Sequence, residues 1–181
     1  PEEEFDSALG VSTGAAVIFG ASGGVLEAAL RTSAAWLTGQ ELPDLDFVDV
    51  RGSEGAKEAT YKVGDLDVNV CSVSGMANVE RVLRAVKAGE KNYHIIEIMA
   101  CPGGCINGGG QPPQPASVRN FLDLKSLRAG ALYCADVRKS VRVSHKNALV
   151  QQVYEEYLGE AGGHRAHDIL HTTYRNRPHK Y

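Results

Sequence analysis

The sequence predicts an α/β fold, a layered sheet flanked by helices. Segments rich in β-branched and aromatic residues alternate along the chain with segments whose apolar residues recur at helical spacing. Glycines and other turn-forming residues separate the two kinds of segment. The chain has 181 residues, of which 43% are hydrophobic and 23% charged, so it is long enough and apolar enough to form a packed core.

The first element is an apolar stretch that runs into a group of glycines. Residues 14–19 are mostly apolar, and the apolar spacing of residues 26–37 predicts a helix after the glycines. We expect Ser22 to cap this helix at its N-terminus and Gly39 to end it. A helix that starts behind glycines offers unpaired backbone N–H groups, so this segment is a natural site for an anion.

The middle of the chain predicts strands around one helix. Its side chains are β-branched or aromatic where strands are expected, and glycine and charge mark the turns. In chain order, the predicted elements are a strand at 45–50, a turn at 51–58, strands within 61–74 around a turn at Gly64-Asp65, a helix at 78–88 and a short buried strand at 94–99.

The rest of the chain predicts helices after a glycine-rich segment at 101–113. They are expected at 118–132, 147–158 and 164–174. In the last of them, His167 and His171 are four residues apart, a spacing that can bind a metal. Because no Glu or Cys partner completes a ligand set, we expect these histidines to cap or cross-link the C-terminal tail instead.

The composition excludes several classes of protein. A net charge of −3 does not suggest a nucleic-acid surface, which needs a concentrated positive field. No apolar run approaches the ~20 residues of a membrane span. Four cysteines are too few for a small disulfide scaffold. No targeting peptide is visible in the first residues, and the chain does not begin with Met, so the compartment stays unknown.

The most informative stretch is the segment from Glu97 to Pro113. It holds Cys101 and Cys105, four residues apart and just after a predicted strand, with five glycines close by. Thiolates are soft ligands that suit iron–sulfur clusters and zinc. Glycines let a backbone approach an inorganic cluster where larger side chains would collide with it.

Other interpretations of the four cysteines remain open from the residues alone. Cys101 and Cys105 could be core thiols in a tight turn, although burying two thiols does not require so many glycines. A redox pair normally has two intervening residues, and structural zinc normally uses two such pairs. Cys71 and Cys134 are solitary, and we expect both to act as small hydrophobic residues. A cubane cluster needs about four protein ligands, so either two ligands come from outside this chain or the cluster interpretation is wrong.

The segment from Glu97 to Pro112 resembles the third cluster-binding motif of iron-only ([FeFe]) hydrogenases, whose pattern is roughly E-x-M-A-C-P-x-G-C-x-x-G-G-G-Q-P. Residues 12–31 resemble the glycine-helix segment of that family, and blocks within 144–174 resemble its C-terminal tail. The resemblance implies half of a two-lobed hydrogenase catalytic domain. Residues 1–143 would form its C-terminal lobe, and residues 144–181 a helical tail resembling the hydrogenase small subunit.

The resemblance also assigns roles to individual residues. Cys101 and Cys105 match the metal ligands of a [4Fe–4S] cluster that is bridged to a two-iron subsite with CO, cyanide and a dithiolate bridge, together called the H-cluster. Cys105 matches the cysteine that links the two parts through sulfur. Met99 matches a methionine that lies against the two-iron subsite, so Cys105 and Met99 are the predicted catalytic residues. Phe19 and Val25 match apolar residues that line the same cavity.

Backbone N–H groups are further candidates for holding cluster sulfur or cyanide. The residues that would supply them are Ser22, Gly23, Gly24, Gly103 and Gly104. Leu26 departs from the family's frequent methionine, and Asn107 from its frequent glycine; we expect both changes to be tolerated. Glu97 is the nearest acid to the cysteines, and as part of a strand we expect it to be structural.

The two earlier cysteine motifs of the family are missing from this sequence. The chain therefore resembles the C-terminal half of a catalytic domain, and we expect it to be inactive alone. Its expected partners are the upstream half of the same hydrogenase, or a partner chain, supplying two more cysteines, and a ferredoxin-like electron carrier. Such a protein would work in the cytoplasm or in an anaerobic organelle.

The implied reaction is the reversible reduction of protons to H2. One alternative is a cytosolic iron–sulfur assembly or scaffold protein of the same wider family, which lacks the two-iron subsite. The tail motifs Ser144-His145-x-Asn147 and Leu170-His171-Thr172-x-Tyr174 favour the hydrogenase branch. A second alternative is an H2-sensing or noncatalytic member, which the apolar residues of the expected cavity do not favour.

Overall fold

The computed structural model describes Glu3 and residues 12–52 and 55–175, and it confirms the α/β fold class. Three strands and several helices succeed one another along the chain. They are α1 (Gly14–Val17), α2 (Gly24–Thr38), β1 (Ala56–Val63), β2 (Leu66–Ser74), α3 (Met76–Lys87), β3 (Ile95–Met99), α4 (Ala116–Arg119), α5 (Leu124–Val137), α6 (Ala148–Val153) and α7 (His164–Leu170). Short 3₁₀ helices cover Ile18–Gly20, Val48–Val50, Cys105–Asn107 and Ser144–Lys146, and a π-helix covers Tyr154–Leu158.

The chain divides into two compact units. One unit is Ser12–Ser144 and contains the sheet. The described part of the other unit, Glu3 and residues 145–175, contains α6, the π-helix and α7. Within it, the His167 and His171 rings stack with their centroids 4.3 Å apart. Across the residues with described structure, no helix is long and apolar enough to cross a membrane.

The sheet has the strand order β1-β2-β3. β1 and β2 form an antiparallel hairpin around the predicted turn at Gly64-Asp65, where Gly64 has φ +60°. β3 pairs with β2 in parallel, in a register that places Ser72 opposite Glu97. Because β2 and β3 are parallel, they end at the same edge of the sheet. The segment that carries both cysteines, residues 100–113 (the cysteine segment), leaves the sheet at that edge.

The main core lies between α2 and the sheet. Apolar residues on one face of α2 pack against the strands and the segment before β1. The buried members of this cluster are Leu26, Leu30, Ala34, Phe47, Val50, Val63, Val68 and Val70. A second cluster, of Cys71, Val73, Val79 and Val82, packs α3 against the sheet. Cys71 is thus buried as expected, whereas Cys134 is exposed, so the prediction for Cys134 was wrong.

The strand predicted at 45–50 is wrong, because this segment ends in a 3₁₀ helix. Phe47 and Val50 are buried, but Val48 between them is 57% exposed. Buried positions three residues apart match a 3₁₀ turn rather than the alternation of a strand. The sheet instead gains residues from the predicted turn at 51–58, since β1 begins at Ala56.

Three helix boundaries also differ from the prediction. The N-cap residue of α2 is Gly23, not Ser22, while Gly39 ends the helix in the left-handed conformation as expected. The helix predicted at 118–132 is two helices, and α5 begins only after Asp123, whose side chain accepts hydrogen bonds from the N–H groups of Lys125 and Ser126. α7 stops at Leu170, short of the predicted residue 174.

A buried ion network joins α2 to α5. Arg31 on α2 bonds Glu27 on the same helix (Nη2 to Oε1, 2.7 Å) and both carboxylate oxygens of Asp136 on α5 (2.9 and 2.8 Å). The side chains of all three residues are completely buried. Arg51 adds hydrogen bonds to Glu27, and Arg142 adds one to Asp136. The network therefore fixes α2 against α5 and against the segments that carry Arg51 and Arg142.

Candidate functional site

The cysteine segment begins where β3 ends, at Met99. Two turns shape it: the N–H of Gly104 donates to the carbonyl of Cys101, and the N–H of Gly108 donates to the carbonyl of Cys105, each at 3.0 Å. Cys101 and Cys105 are free and exposed, while Ile106 between the turns is buried. Exposed thiols contradict the interpretation of this pair as core residues. Their sulfur atoms are available to a group outside the unit.

Gly103 and Gly104 are required by the backbone of this segment. Both have φ +87°, a conformation that residues with a side chain rarely adopt. A Cβ atom on Gly104 would lie 2.7 Å from the backbone nitrogen of Ser22 and 2.8 Å from the carbonyl oxygen of Gly20. The N–H of Ser22 also donates to the carbonyl of Gly103 at 3.0 Å. The structure therefore brings the cysteine segment and the glycines before α2 into direct backbone contact.

The turn before α2, residues 20–24 (the glycine turn), is equally crowded. Gly23 has φ +93°, and a Cβ atom there would collide with the carbonyl oxygen of Val50. Phe19 and Val25 flank the turn and are 45% and 37% exposed. Met99, at the end of β3, is half-buried, and its carbonyl accepts a hydrogen bond from the N–H of Gly75 at 3.0 Å. These apolar side chains remain open to a partner, and their roles as cavity walls stay predictions.

The N–H groups at the start of α2 do not form a free anion site. Ser22 donates to the carbonyl of Gly103, Gly24 donates to the carbonyl of Ala21, and Gly23 donates to the carboxylate of Glu97. Each of these three N–H groups has an acceptor within the chain, and the expectation that they hold cluster sulfur or cyanide stays a prediction. Ser22 and the two glycines support the site by close backbone packing.

Arg128 on α5 supports the cysteine segment from the other side. Its guanidinium donates to the carbonyl oxygens of Ile106 (3.0 Å) and Pro112 (3.2 Å). These two bonds hold both ends of the glycine run 108–110. Sequence reasoning missed this residue, and nothing in the local pattern of α5 distinguishes it from other surface arginines.

The cysteine pair fits part of an iron–sulfur site. Both cysteines are exposed and lie on one segment, and thiolates suit iron–sulfur clusters. The glycines of the segment let its backbone come close to an inorganic cluster. Within residues 12–52 and 55–175, no group of three or more His, Cys, Asp or Glu side chains is placed to hold a metal ion. Any cluster with about four protein ligands would have to take the others from elsewhere.

Two family models match the chain. The model described as "Iron only hydrogenase large subunit, C-terminal domain" matches residues 1–109. The model described as "Iron hydrogenase small subunit" matches residues 122–177. The first match covers more than half of the chain and includes both cysteines.

Curated proteins with similar sequences include two bacterial hydrogenases. The NADP-reducing hydrogenase subunit HndD of Solidesulfovibrio fructosivorans is 47% identical over 98% of this chain and 29% of its own length. Iron hydrogenase 1 of Clostridium pasteurianum is 42% identical over 96% of this chain and 30% of its own length. The cytosolic Fe–S cluster assembly factor narfl of Danio rerio is 28% identical, over 84% of this chain and 36% of its own. The chain thus spans about a third of the length of these relatives.

Solved structures with a similar fold also include hydrogenases. A single-residue variant of the [FeFe]-hydrogenase HydA1 of Chlamydomonas reinhardtii superposes with a TM-score of 0.69 at 36% sequence identity. The alignment covers 96% of this chain and 49% of that one. The helices and the three-stranded sheet therefore match one half of a hydrogenase structure.

Proposed function

Because the chain belongs to the iron-only hydrogenase family, as a C-terminal part of the large subunit, we propose that it forms half of an H-cluster site that reversibly reduces protons to H2. The observation that carries this proposal is the pair of exposed thiols, Cys101 and Cys105, on a glycine segment that matches the third cysteine motif of the family. Neither cysteine forms a disulfide with another cysteine of the chain.

The chain's own residues would hold and shield the cofactor. Cys101 and Cys105 would ligate the [4Fe–4S] part as thiolates, and Cys105 would also bridge to the two-iron subsite. When bound, the H-cluster supplies the redox chemistry and the site at which protons and electrons combine. Gly103 and Gly104 keep the backbone of the segment free of side chains. Met99 and the flanking Phe19 and Val25 would exclude water from the two-iron subsite.

The remaining ligands would come from a partner. We propose the upstream half of the same hydrogenase, or a separate chain equivalent to it, as the source of two more cysteines. Two observations support this: the chain spans only 49% of the solved hydrogenase, and the cysteine segment has no third ligand among the residues whose positions are described. A ferredoxin-like electron carrier completes the proposal.

The second candidate is an iron–sulfur assembly protein without the two-iron subsite. The similarity to the cytosolic assembly factor supports it, at 28% identity. The identities of 42% and 47% to hydrogenases favour the enzyme. Infrared bands from bound CO and cyanide separate the two candidates, because only the H-cluster carries these ligands. An H2-sensing member would show the bands but turn over slowly.

The experiment that tests the proposal combines this chain with the upstream half of a hydrogenase, loads the cluster, and measures iron content and H2 evolution. Iron binding and H2 evolution should each require the two halves together. Replacing Cys105→Ala should abolish H2 evolution, because this thiol would link the two parts of the cluster. Cys134→Ala is the matched control, since Cys134 is an exposed cysteine outside the motif and its loss should leave the rate unchanged. Turnover by the Cys105→Ala protein at the parental rate would contradict the proposal.

A further inference from the structure

The N-terminus of α2 lacks a capping side chain of its own. Its N-cap residue is Gly23, and Ser22, the nearest hydroxyl, is used elsewhere: it lies 3.4 Å from the Ser72 hydroxyl and accepts a hydrogen bond from Lys57 at 3.2 Å. A helix start has N–H groups without intrahelical acceptors, and leaving them buried and unpaired is costly. The acceptor must therefore come from another part of the chain.

Glu97, on the central part of β3, supplies that acceptor. Its Oε2 accepts from the N–H of Gly23 at 2.7 Å, and its Oε1 accepts from the N–H of Val25 at 3.2 Å. The hydroxyl of Ser72, its register partner on β2, donates to Oε2 at 2.7 Å. The residue is 8% exposed. A carboxylate at this place also interacts favourably with the positive end of the helix dipole.

This cap joins the two segments that make up the proposed site. Glu97 precedes Met99 by two residues and Cys101 by four, on the strand that leads into the cysteine segment. The helix start that it caps carries Val25. A second contact, from the Ser22 N–H to the Gly103 carbonyl, joins the same two segments beyond the end of the strand. The strand, the cysteine segment and the glycine turn are thus held at two points.

We propose that Glu97 is a positioning residue that sets the place of the apolar wall at Val25 relative to the cysteine segment. It acts as an acceptor for three donors rather than as a proton donor. The inference rests on the proposed function for its consequence at the cluster, but the capping itself concerns only this chain. The two parts are therefore tested separately.

Capping is tested by amide hydrogen exchange on the 181-residue chain without metal. In Glu97→Gln, the carboxamide keeps one acceptor oxygen and places an NH2 group where the other stood. The amide of Val25 or of Gly23 should then exchange about tenfold faster, the effect of one lost hydrogen bond. The matched control is Glu90→Gln, which changes an exposed acid and should leave both amides unchanged. Unchanged exchange in the Glu97→Gln protein would overturn the inference.

A second variant covers the case in which Glu97→Gln does not fold. Ser72→Ala removes one of the three donors and leaves the carboxylate in place. It should accelerate exchange at Gly23, whose N–H shares Oε2 with Ser72, more than at Val25. If each of the two amides exchanged at the same rate in the Ser72→Ala protein as in the parent chain, the proposed hydrogen bonds of Glu97 would be contradicted.

The consequence at the cluster is tested in the reconstituted protein. Glu97→Gln should retain bound iron but shift or broaden the infrared bands of CO and cyanide, whereas Glu90→Gln should not. A loss of stability alone would lower the melting temperature without moving the bands. Bands identical to those of the parent would overturn the positioning role. If neither the parent protein nor the variants showed CO and cyanide bands, the proposed function would fail. The hydrogen-exchange measurement would then decide by itself whether Glu97 caps α2.

Discussion

Arg31 holds its charge in the interior without contact with solvent. Burial by itself would lower the pKa of its guanidinium, but hydrogen bonds from it to Asp136 and Glu27 raise that pKa, so the side chain stays charged. Two buried carboxylates pair with this cation, and each has a second arginine partner, Arg51 for Glu27 and Arg142 for Asp136. Arg31 is the fully buried member, so removing it leaves two buried carboxylates with less compensating charge, which costs more than the ion pairs themselves contribute.

We predict that Arg31→Leu lowers the free energy of unfolding by about 3–5 kcal/mol, the usual cost of breaking a buried ion pair. The matched control is Arg84→Leu. Arg84 forms an ion pair with Glu80 one helical turn away, but both side chains are mostly exposed, so its loss should cost less than ~1 kcal/mol. Urea unfolding of the two variants measures the difference. Equal losses would show that the buried network does not stabilise the fold.

At the scale of the element, the cysteine segment depends on backbone geometry more than on side chains. Gly104 has a positive φ, and a Cβ atom there would overlap neighbouring backbone atoms. Gly109 has neither constraint, because its φ is not positive and nothing lies within 4 Å of its Cβ position. The two glycines lie in the same segment but have different tasks. Gly104 allows the contact with the turn before α2, and Gly109 does not.

We expect Gly104→Ala to prevent normal cluster loading, because the methyl group would force the cysteine segment away from Gly20 and Ser22. The backbone of Gly104 (φ +87°, ψ −159°) lies in a region essentially restricted to glycine, which costs alanine about 1–3 kcal/mol, and the overlap adds to that. Gly109→Ala is the control and should load iron like the parent. Iron analysis after reconstitution gives the answer. Full iron content in Gly104→Ala would mean that the contact between the two segments is dispensable.

At the scale of the whole molecule, the ion network makes the fold sensitive to acid. Burial by itself would raise the pKa of Asp136, but hydrogen bonds from Arg31 and Arg142 hold it below the ordinary value of the group. A group with a lowered pKa in the folded state stabilises the fold above its unfolded pKa of about 3.9 and loses that contribution as the pH falls through the folded value. The network therefore contributes in full at neutral pH.

The prediction is a free energy of unfolding that is steady above about pH 5 and falls as the pH drops below about 4. Asp136→Asn should lower stability at neutral pH and flatten this acid decline, since the titrating carboxylate is gone. Asp67→Asn serves as the comparison, because Asp67 is exposed on β2 and its change should leave the decline intact. The free energy of unfolding is measured by urea unfolding across the pH range. If it declined in acid as steeply for Asp136→Asn as for the parent chain, Asp136 would not be the group responsible for the decline.

Local patterns predicted much of the fold. The turn at Gly64-Asp65, the helix at 78–88 and the strand at 94–99 appear at or near their predicted places, because turn residues and apolar periodicity act over a few neighbours. The segment 45–50 failed because β-type side chains also suit a 3₁₀ turn when two of them, Phe47 and Val50, face the same core. The predicted division at residue 143 stays a prediction.

The candidate site was only partly visible in the same way. The spacing of Cys101 and Cys105 and the surrounding glycines pointed to the cluster, because soft ligands and bare backbone are local requirements. Ser22 was a reasonable cap by sequence, since serine is among the best N-cap residues. The folded chain instead uses its hydroxyl near Ser72 and Lys57, and gives the capping task to Glu97.

The residues alone determined which thiols are candidate ligands for iron and where most of the helices and strands form, because ligand type and periodicity are properties of a short stretch of chain. Only the tertiary structure decided that the two thiols are exposed, that Glu97 caps a helix 74 residues before it, and that Arg31 pairs with Asp136 across 105 residues. Those pairings arise when the sheet and the helices pack, and no local rule specifies which distant acceptor will meet a buried donor.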